Sequence, residues 1–211
     1  MTRSLRGWIA VGLLGFGGLA AAWGMKGPKI NVADDPSYKE GSPNLVLVEV
    51  SDFQCPYCGQ AAREVLPKVV EKYVRPGQVE LVFLDLPLQM HPDALKAAEA
   101  AACAHDQGKF WEMHNLLFAN QRALGVDLLP GYAEKAGLDV AAFQKCLTGG
   151  KKQGGIREDV RTVGFLDIHS TPTLLLGRRV AGGDKVEVLE TLHGPTYEEL
   201  AAKVDELLAA K

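Results

Sequence analysis

The hydrophobic positions change period several times along the chain, and each change marks an element. Residues 45–50, LVLVEV, form a nearly continuous run of leucine and β-branched residues, as expected of a central strand covered on both faces. A helix is predicted next, from about Cys55 to Arg75, with Pro56 in its first turn, Pro67 kinking its middle and Pro76-Gly77 ending it. Residues 79–88, VELVFLDLPL, read as a second strand stopped by Pro87. From His91 to Gly164 the pattern is helical throughout. Pro92 and Asp93 open an alanine-rich helix that stops at Gly108, and Phe110, Met113, Leu117 and Phe118 then recur at helical spacing. Gly137, Asp139 as an N-cap, and Gly149-Gly150 punctuate two shorter helices, and IREDVRTVGFLDI adds another. Strands return at residues 172–177 and 184–192, and an amphipathic helix, TYEELAAKVDELLAA, closes the chain.

This order predicts an α/β fold in which residues 45–90 and 165–211 form one domain and residues 91–164 an inserted helical domain. The 211 residues, 47% hydrophobic and 23% charged, suffice for a substantial core. A net charge of −3, with the basic residues scattered, argues against nucleic acid as a partner.

The N-terminus changes the setting. No charge occurs from Gly7 to Met25, while Arg3 and Arg6 precede this stretch and Lys26 and Lys29 follow it. Residues 1–25 read as an export element, near the ~20 residues that span a bilayer. It is either a retained anchor in contact with the membrane or a signal peptide, for which Ala20 and Ala22 supply the small residues of a cleavage site. Both place the remainder in an extracytoplasmic, oxidising compartment, where four cysteines can persist as disulfides. Residues 26–44, with three prolines and mixed charges, read as a linker with one short edge strand.

The chemistry concentrates in SDFQCPYCGQ, residues 51–60. A zinc site would need two further ligands at close spacing, and neither Cys103 and Cys146 nor the five histidines supply them. No metal or other cofactor is expected. A staple across one helical turn would constrain little of the unfolded chain. Redox chemistry is the reading that remains. Cys55 lies where a strand hands over to a helix N-terminus, whose dipole and free amides favour a thiolate, and Cys58 lies one turn further on to resolve a mixed disulfide. Glu49 shares a strand face with Leu45 and Leu47, a costly place for a carboxylate unless it is used, and proton exchange with Cys58 through water is the functional reading; a paired or partly exposed Glu49 is the structural one. Asp52 is expected to be solvated. His114 with Phe110, Trp111 and Phe118 reads as core. Phe53 and Tyr57 flank the reactive sulfur, either as an apolar surface for unfolded chains or as packing against the sheet.

With SDFQCPYC, QGKFWEMHNLLFANQ and STPTLLLG in view, residues 40–211 resemble the DsbA-type thiol:disulfide oxidoreductases, exported or membrane-tethered bacterial proteins of thioredoxin fold. The resemblance implies that Cys55 is the exposed nucleophile, Cys58 the resolving thiol and Glu49 the acid buried beneath them. It also implies a cis-proline opposite the motif at Pro172, preceded by Thr171, whose main chain would pair with an extended substrate. The implied activity is disulfide exchange with reduced or unfolded exported polypeptides, with re-oxidation by a membrane quinone-linked thiol oxidase. Relatives of this type carry a second cysteine pair, and in an oxidising compartment a structural Cys103–Cys146 bond is expected; two buried free thiols are the alternative. Oxidation of substrates is the preferred direction, with reduction or isomerisation, or a non-catalytic peptide-binding role, as rivals.

Overall fold

The computed structural model describes residues 26–181 and 183–210. The export element expected at residues 1–25 lies outside them, and among the described residues no helix is long and apolar enough to cross a membrane.

Six strands form one mixed sheet: β1 (Lys29–Asn31), β2 (Ser37–Tyr38), β3 (Leu45–Ser51), β4 (Val79–Asp85), β5 (Thr173–Arg179) and β6 (Lys185–His193), in the spatial order β1-β6-β5-β3-β4-β2. Only β3 and β4 run parallel. Every residue of β3 and of β4 is buried, because these central strands are covered on both faces. The two faces of β3 carry different cores. Leu45 and Leu47 pack with Val69, Tyr73, Leu200 and Val204, while Val46, Val48 and Val50 pack with Leu84, Val163 and Ile168. The segment expected as a linker puts one strand on each edge of the sheet, with Ile30 opposite Val186 and Ser37 opposite Val82.

Between β3 and β4 the backbone stays helical through α1 (Pro56–Gln60), a π segment (Ala61–Val65), α2 (Leu66–Val69) and a second π segment (Val70–Val74). The i to i+5 bond from Leu66 N–H to the Ala61 carbonyl, within this π geometry, places Pro67, which has no N–H to give, in the first turn of α2. The helical region comprises α3 (Ala94–His105), α4 (Phe110–Ala119), α5 (Leu129–Lys135), α6 (Val140–Thr148) and α7 (Gln153–Phe165). Asp139 caps α6 by accepting from Ala142 N–H at 3.0 Å. Helix α8 (Tyr197–Ala209) closes the chain behind a Thr196–Glu199 capping box. A mixed sheet with helices on both faces and a helical insertion is the α/β thioredoxin fold with an inserted helical domain.

Cys103 of α3 and Cys146 of α6 are joined by a disulfide spanning 43 residues, with their Cα atoms 5.9 Å apart. A loop of that length is worth about 4 kcal/mol on the chain-entropy account. The Cys103→Ala/Cys146→Ala double variant should therefore melt roughly 10 °C lower, as read by calorimetry. The N-terminal segment is tied to α7 through carboxylates. Burial first, then the charge and hydrogen bond of Asp159, push Asp35 up to about 8. The folded state thus holds a proton that the unfolded chain has released, so stability falls as pH rises from about 4 to about 8. Asp35→Asn should flatten that slope in a denaturation series across these pH values.

Candidate active site

Strand β3 delivers the cysteine pair. Its last residues turn into a loop that Asp52 clamps: the carboxylate accepts from Gln54 N–H at 2.7 Å and Leu88 N–H at 2.8 Å, and meets His91 Nδ1 at 2.7 Å. Asp52 is therefore buried, not solvated as its loop position suggested. Gln54 and Asp93 add a reciprocal pair of hydrogen bonds to the same neighbouring loop. From the other side, Gln121 Nε2 donates to the carbonyls of Phe53 at 2.9 Å and Cys55 at 2.7 Å. Gly59 makes room for it, since a Cβ there would lie 1.9 Å from Gln121 Oε1.

Cys55 is the N-cap of α1 with Pro56 at the first helical position, and both Cys55 and Cys58 are free thiols. The Cys55 thiol is lowered to about 5, first by a hydrogen bond from the Cys58 thiol, against opposing desolvation, then by Thr171 and by the amides of Cys58 and Tyr57. The helix N-terminus thus contributes as expected, but the neighbouring sulfur is the larger cause. Cys58 moves the opposite way: burial first, then the adjacent Cys55 sulfur, push it far up. One sulfur is built to be an anion and the other to stay protonated.

Across from the motif, the Thr171–Pro172 peptide bond is cis, and Cys55 Sγ donates to the Thr171 carbonyl at 3.5 Å. A cleft of about 470 Å³ begins at this point, lined by Tyr57, Thr171, Pro172, His193 and Tyr197 among others. A second cleft, on the far side of α1, includes Gln54, Pro56 and His91. Cys55 itself is only 4% exposed. The sulfur is thus enclosed between residues of the two clefts, not exposed as the resemblance implied.

Tyr57 is 69% exposed beside the sulfur, whereas Phe53 is fully buried. Phe53 stacks on Phe83 with ring centroids 5.2 Å apart and touches Phe118 at 4.9 Å. It belongs to the core of the helical insert and forms no part of a substrate surface. Its direction follows from the turn after β3, which aims it under the insert. Glu49 lies deeper, fully buried on the expected face of β3. Ser51 is the residue of that face set against Cys58, and Glu49, one pleat below, faces His114. The clamps Asp52, His91 and Gln121 escaped sequence reasoning, because no local pattern reveals contacts made across 39 or 66 positions.

The family described as Thioredoxin matches residues 40–204. The chain belongs to the thioredoxin family. Among solved structures, α-DsbA1 of Wolbachia pipientis matches with a TM-score of 0.73 at 20% identity, over 84% of this chain and 92% of that one. Oxidised BdbD from Bacillus subtilis matches at 0.73 and 19%, over 87% and 98%. A thioredoxin-like oxidoreductase from Silicibacter pomeroyi matches at 0.67 and 22%, over 85% and 95%. These likenesses establish the DsbA-like form of the thioredoxin fold for this family member. Curated relatives are named for a longer protein: the Na(+)/H(+) antiporter NhaA 3 of Salinispora tropica is 42% identical over 147 residues, 69% of this chain. The thioredoxin chain spans about a fifth of that relative, 22% of its length, and NhaA 1 of Mycobacterium sp. (strain KMS) is similar at 36% identity and 24%.

Alkylation of the reduced protein by iodoacetamide should reach half its plateau rate near pH 5, at Cys55 alone. The folded value lies below that of a free thiol, so Cys55 ionisation stabilises the reduced fold at high pH. That contribution is lost as pH falls through about 5.

Proposed function

We propose that this thioredoxin-family chain is an extracytoplasmic thiol:disulfide oxidoreductase that oxidises reduced, exported polypeptides with its Cys55–Cys58 disulfide. The observation that carries the proposal is the division of labour between the two sulfurs. Cys55 is lowered to about 5, and so is a thiolate at neutral pH, while Cys58 is held as a thiol. Stabilising the thiolate stabilises the reduced form, which makes the disulfide a stronger oxidant.

A substrate thiolate attacks Cys55 Sγ, the Cys55–Cys58 bond breaks, and Cys58 takes a proton. A second substrate thiolate then attacks the substrate sulfur of the mixed disulfide and releases Cys55 as a thiolate. Two substrate thiols become one disulfide, and one proton is left to solvent. The substrate lies extended across Thr171 and Pro172, with Tyr57 and Tyr197 flanking the adjoining cleft. The Cys103–Cys146 bond supports an oxidising compartment, and a periplasmic thioredoxin-like protein from Salmonella enterica serovar Typhimurium shares the fold at a TM-score of 0.64 and 23% identity. A membrane quinone-linked thiol oxidase completes the cycle.

A Cys58→Ser variant should accumulate mixed disulfides between Cys55 and exported proteins, resolved by non-reducing electrophoresis; absence of any adduct would defeat the exchange reading in favour of non-catalytic peptide binding. In a glutathione titration the wild type should be half-oxidised at a potential above about −180 mV, whereas a value near about −270 mV would make it a reductant.

A further inference from the structure

The two clefts beside Cys55 differ in charge. The far cleft, of about 730 Å³, includes both chain neighbours of the cysteine, Gln54 and Pro56, together with the basic side chains of Arg63, His91 and Arg122, and no carboxylate lines it. The cleft at Pro172 instead holds the carboxylates of Glu64 and Glu198 against one cation, Lys68, whose ammonium lies over the Tyr197 ring, 5.2 Å from its centroid. The chain as a whole carries a net charge of −3, so the basic cleft is a local feature set against the overall field.

The two arginines are the source of its charge. Both are exposed, and among the described residues the arginines that form ion pairs are others, Arg75, Arg161 and Arg179. Arg63 Nη1 donates to the Phe118 carbonyl at 3.2 Å, a neutral partner that fixes the guanidinium at the end of α4 and leaves its charge unbalanced. Arg122 follows in the turn after α4, and the arginine hydrogen bonds among the described residues do not include it. His91 adds less, because the buried Asp52 carboxylate meets its Nδ1 at 2.7 Å, and the neighbouring Asp93 is taken by Gln54 Nε2 at 3.1 Å. A planar guanidinium fork matches a carboxylate in both shape and charge.

We propose that the Arg63–Arg122 cleft receives an acidic segment of the substrate polypeptide, with aspartate or glutamate side chains within about four residues of the cysteine under attack. The proposal rests on the exchange reaction and the extended pose described above. A chain that leaves the Pro172 cleft and continues past Cys55 crosses the start of α1. A helix is about 10 Å across, which about three extended residues span, so the side chains that follow meet the arginines. Glu64 and Glu198 offer an acidic segment no such attraction at the other end, and the two clefts together select which way a charged substrate lies. Attraction of this kind acts chiefly on encounter. It favours formation of the mixed disulfide and leaves the chemistry of the two sulfurs unchanged.

The oxidised full-length protein, mixed with an excess of single-cysteine peptides, tests this. Peptides of equal length carry paired aspartates, lysines or glutamines near the cysteine, in one series before it and in another after it. Each turnover joins two peptide thiols in one disulfide and converts the Cys55–Cys58 disulfide to two thiols, read by acid quench and mass spectrometry. Dividing each rate by that of the same peptide with 2-hydroxyethyl disulfide removes the effect of the peptide's charges on its own thiol. In one of the two series the wild type should then favour the aspartate peptide over the glutamine peptide roughly tenfold at low ionic strength, and salt should erase the gain. R122E and R63Q/R122Q should lose the preference while keeping the wild-type rate with glutamine peptides. Equal normalised rates for aspartate and glutamine peptides in both series would overturn the assignment, as would a preference that survives in both variants. A wild type that oxidises none of the peptides would instead overturn the exchange reading itself. Should R63Q/R122Q fold poorly, R122E decides alone, because it removes the charge of a side chain that holds no structural hydrogen bond.

Discussion

The opposed protonation of two neighbouring sulfurs organises this molecule. Cys55 and Cys58 sit within one helical turn, and in the reduced state only one of them can carry charge in so confined a place. The sulfur next to the helix start and the Thr171 side chain takes it, and the sulfur sealed against Ser51 does not. Each cysteine is part of the reason for the other's displacement. An isolated helix N-terminus would lower a thiol, but here the donor that matters most is the partner thiol, which the turn of α1 holds in place. Pro56, at the first helical position, starts that turn with a residue whose missing N–H would have had no helical partner.

The rest of the fold keeps the two sulfurs in register. Asp52 fixes the loop to the start of the helical region, Gln121 fixes it to the end of α4, and Thr171 presents its carbonyl from the loop just before β5. These anchors come from three separate elements, so the pair is positioned by tertiary structure and not by the loop itself. The cysteines also belong to the hydrophobic core of the helical insert, alongside Phe53, Phe83, Phe110 and Leu117. The insert therefore forms one wall of the reactive site, and its Cys103–Cys146 bond braces that wall at a distance. A buried polar column of Ser51, Glu49 and His114 interrupts this otherwise apolar region. Such interruptions are costly in a close-packed interior.

Distant relatives underline how the site and scaffold are divided. Structures with only 16–23% identity share the fold over more than four-fifths of this chain. A shape maintained at such identities depends on pattern: an all-buried β3 and β4, helices on both faces, and a helical excursion between β4 and β5. The chemistry depends on a few atoms placed to within hydrogen-bond distance.

The sequence by itself determined the elements and their kinds, because hydrophobic period, proline and glycine positions act locally. LVLVEV could only be a covered strand, and C-P-Y-C behind it could only open a helix with sulfur at its start. It also placed Glu49 on a buried face, since strand alternation is strict. What only the tertiary structure decided was which side chains meet. Phe53 turned inward instead of facing substrate, and Asp52 became a buried clamp. The unremarkable core histidine, His114, came to point its free nitrogen at Glu49 from 65 positions away in the chain. Those outcomes depend on how helices pack over a sheet, and local periodicity carries no information about the partner that long-range packing will supply.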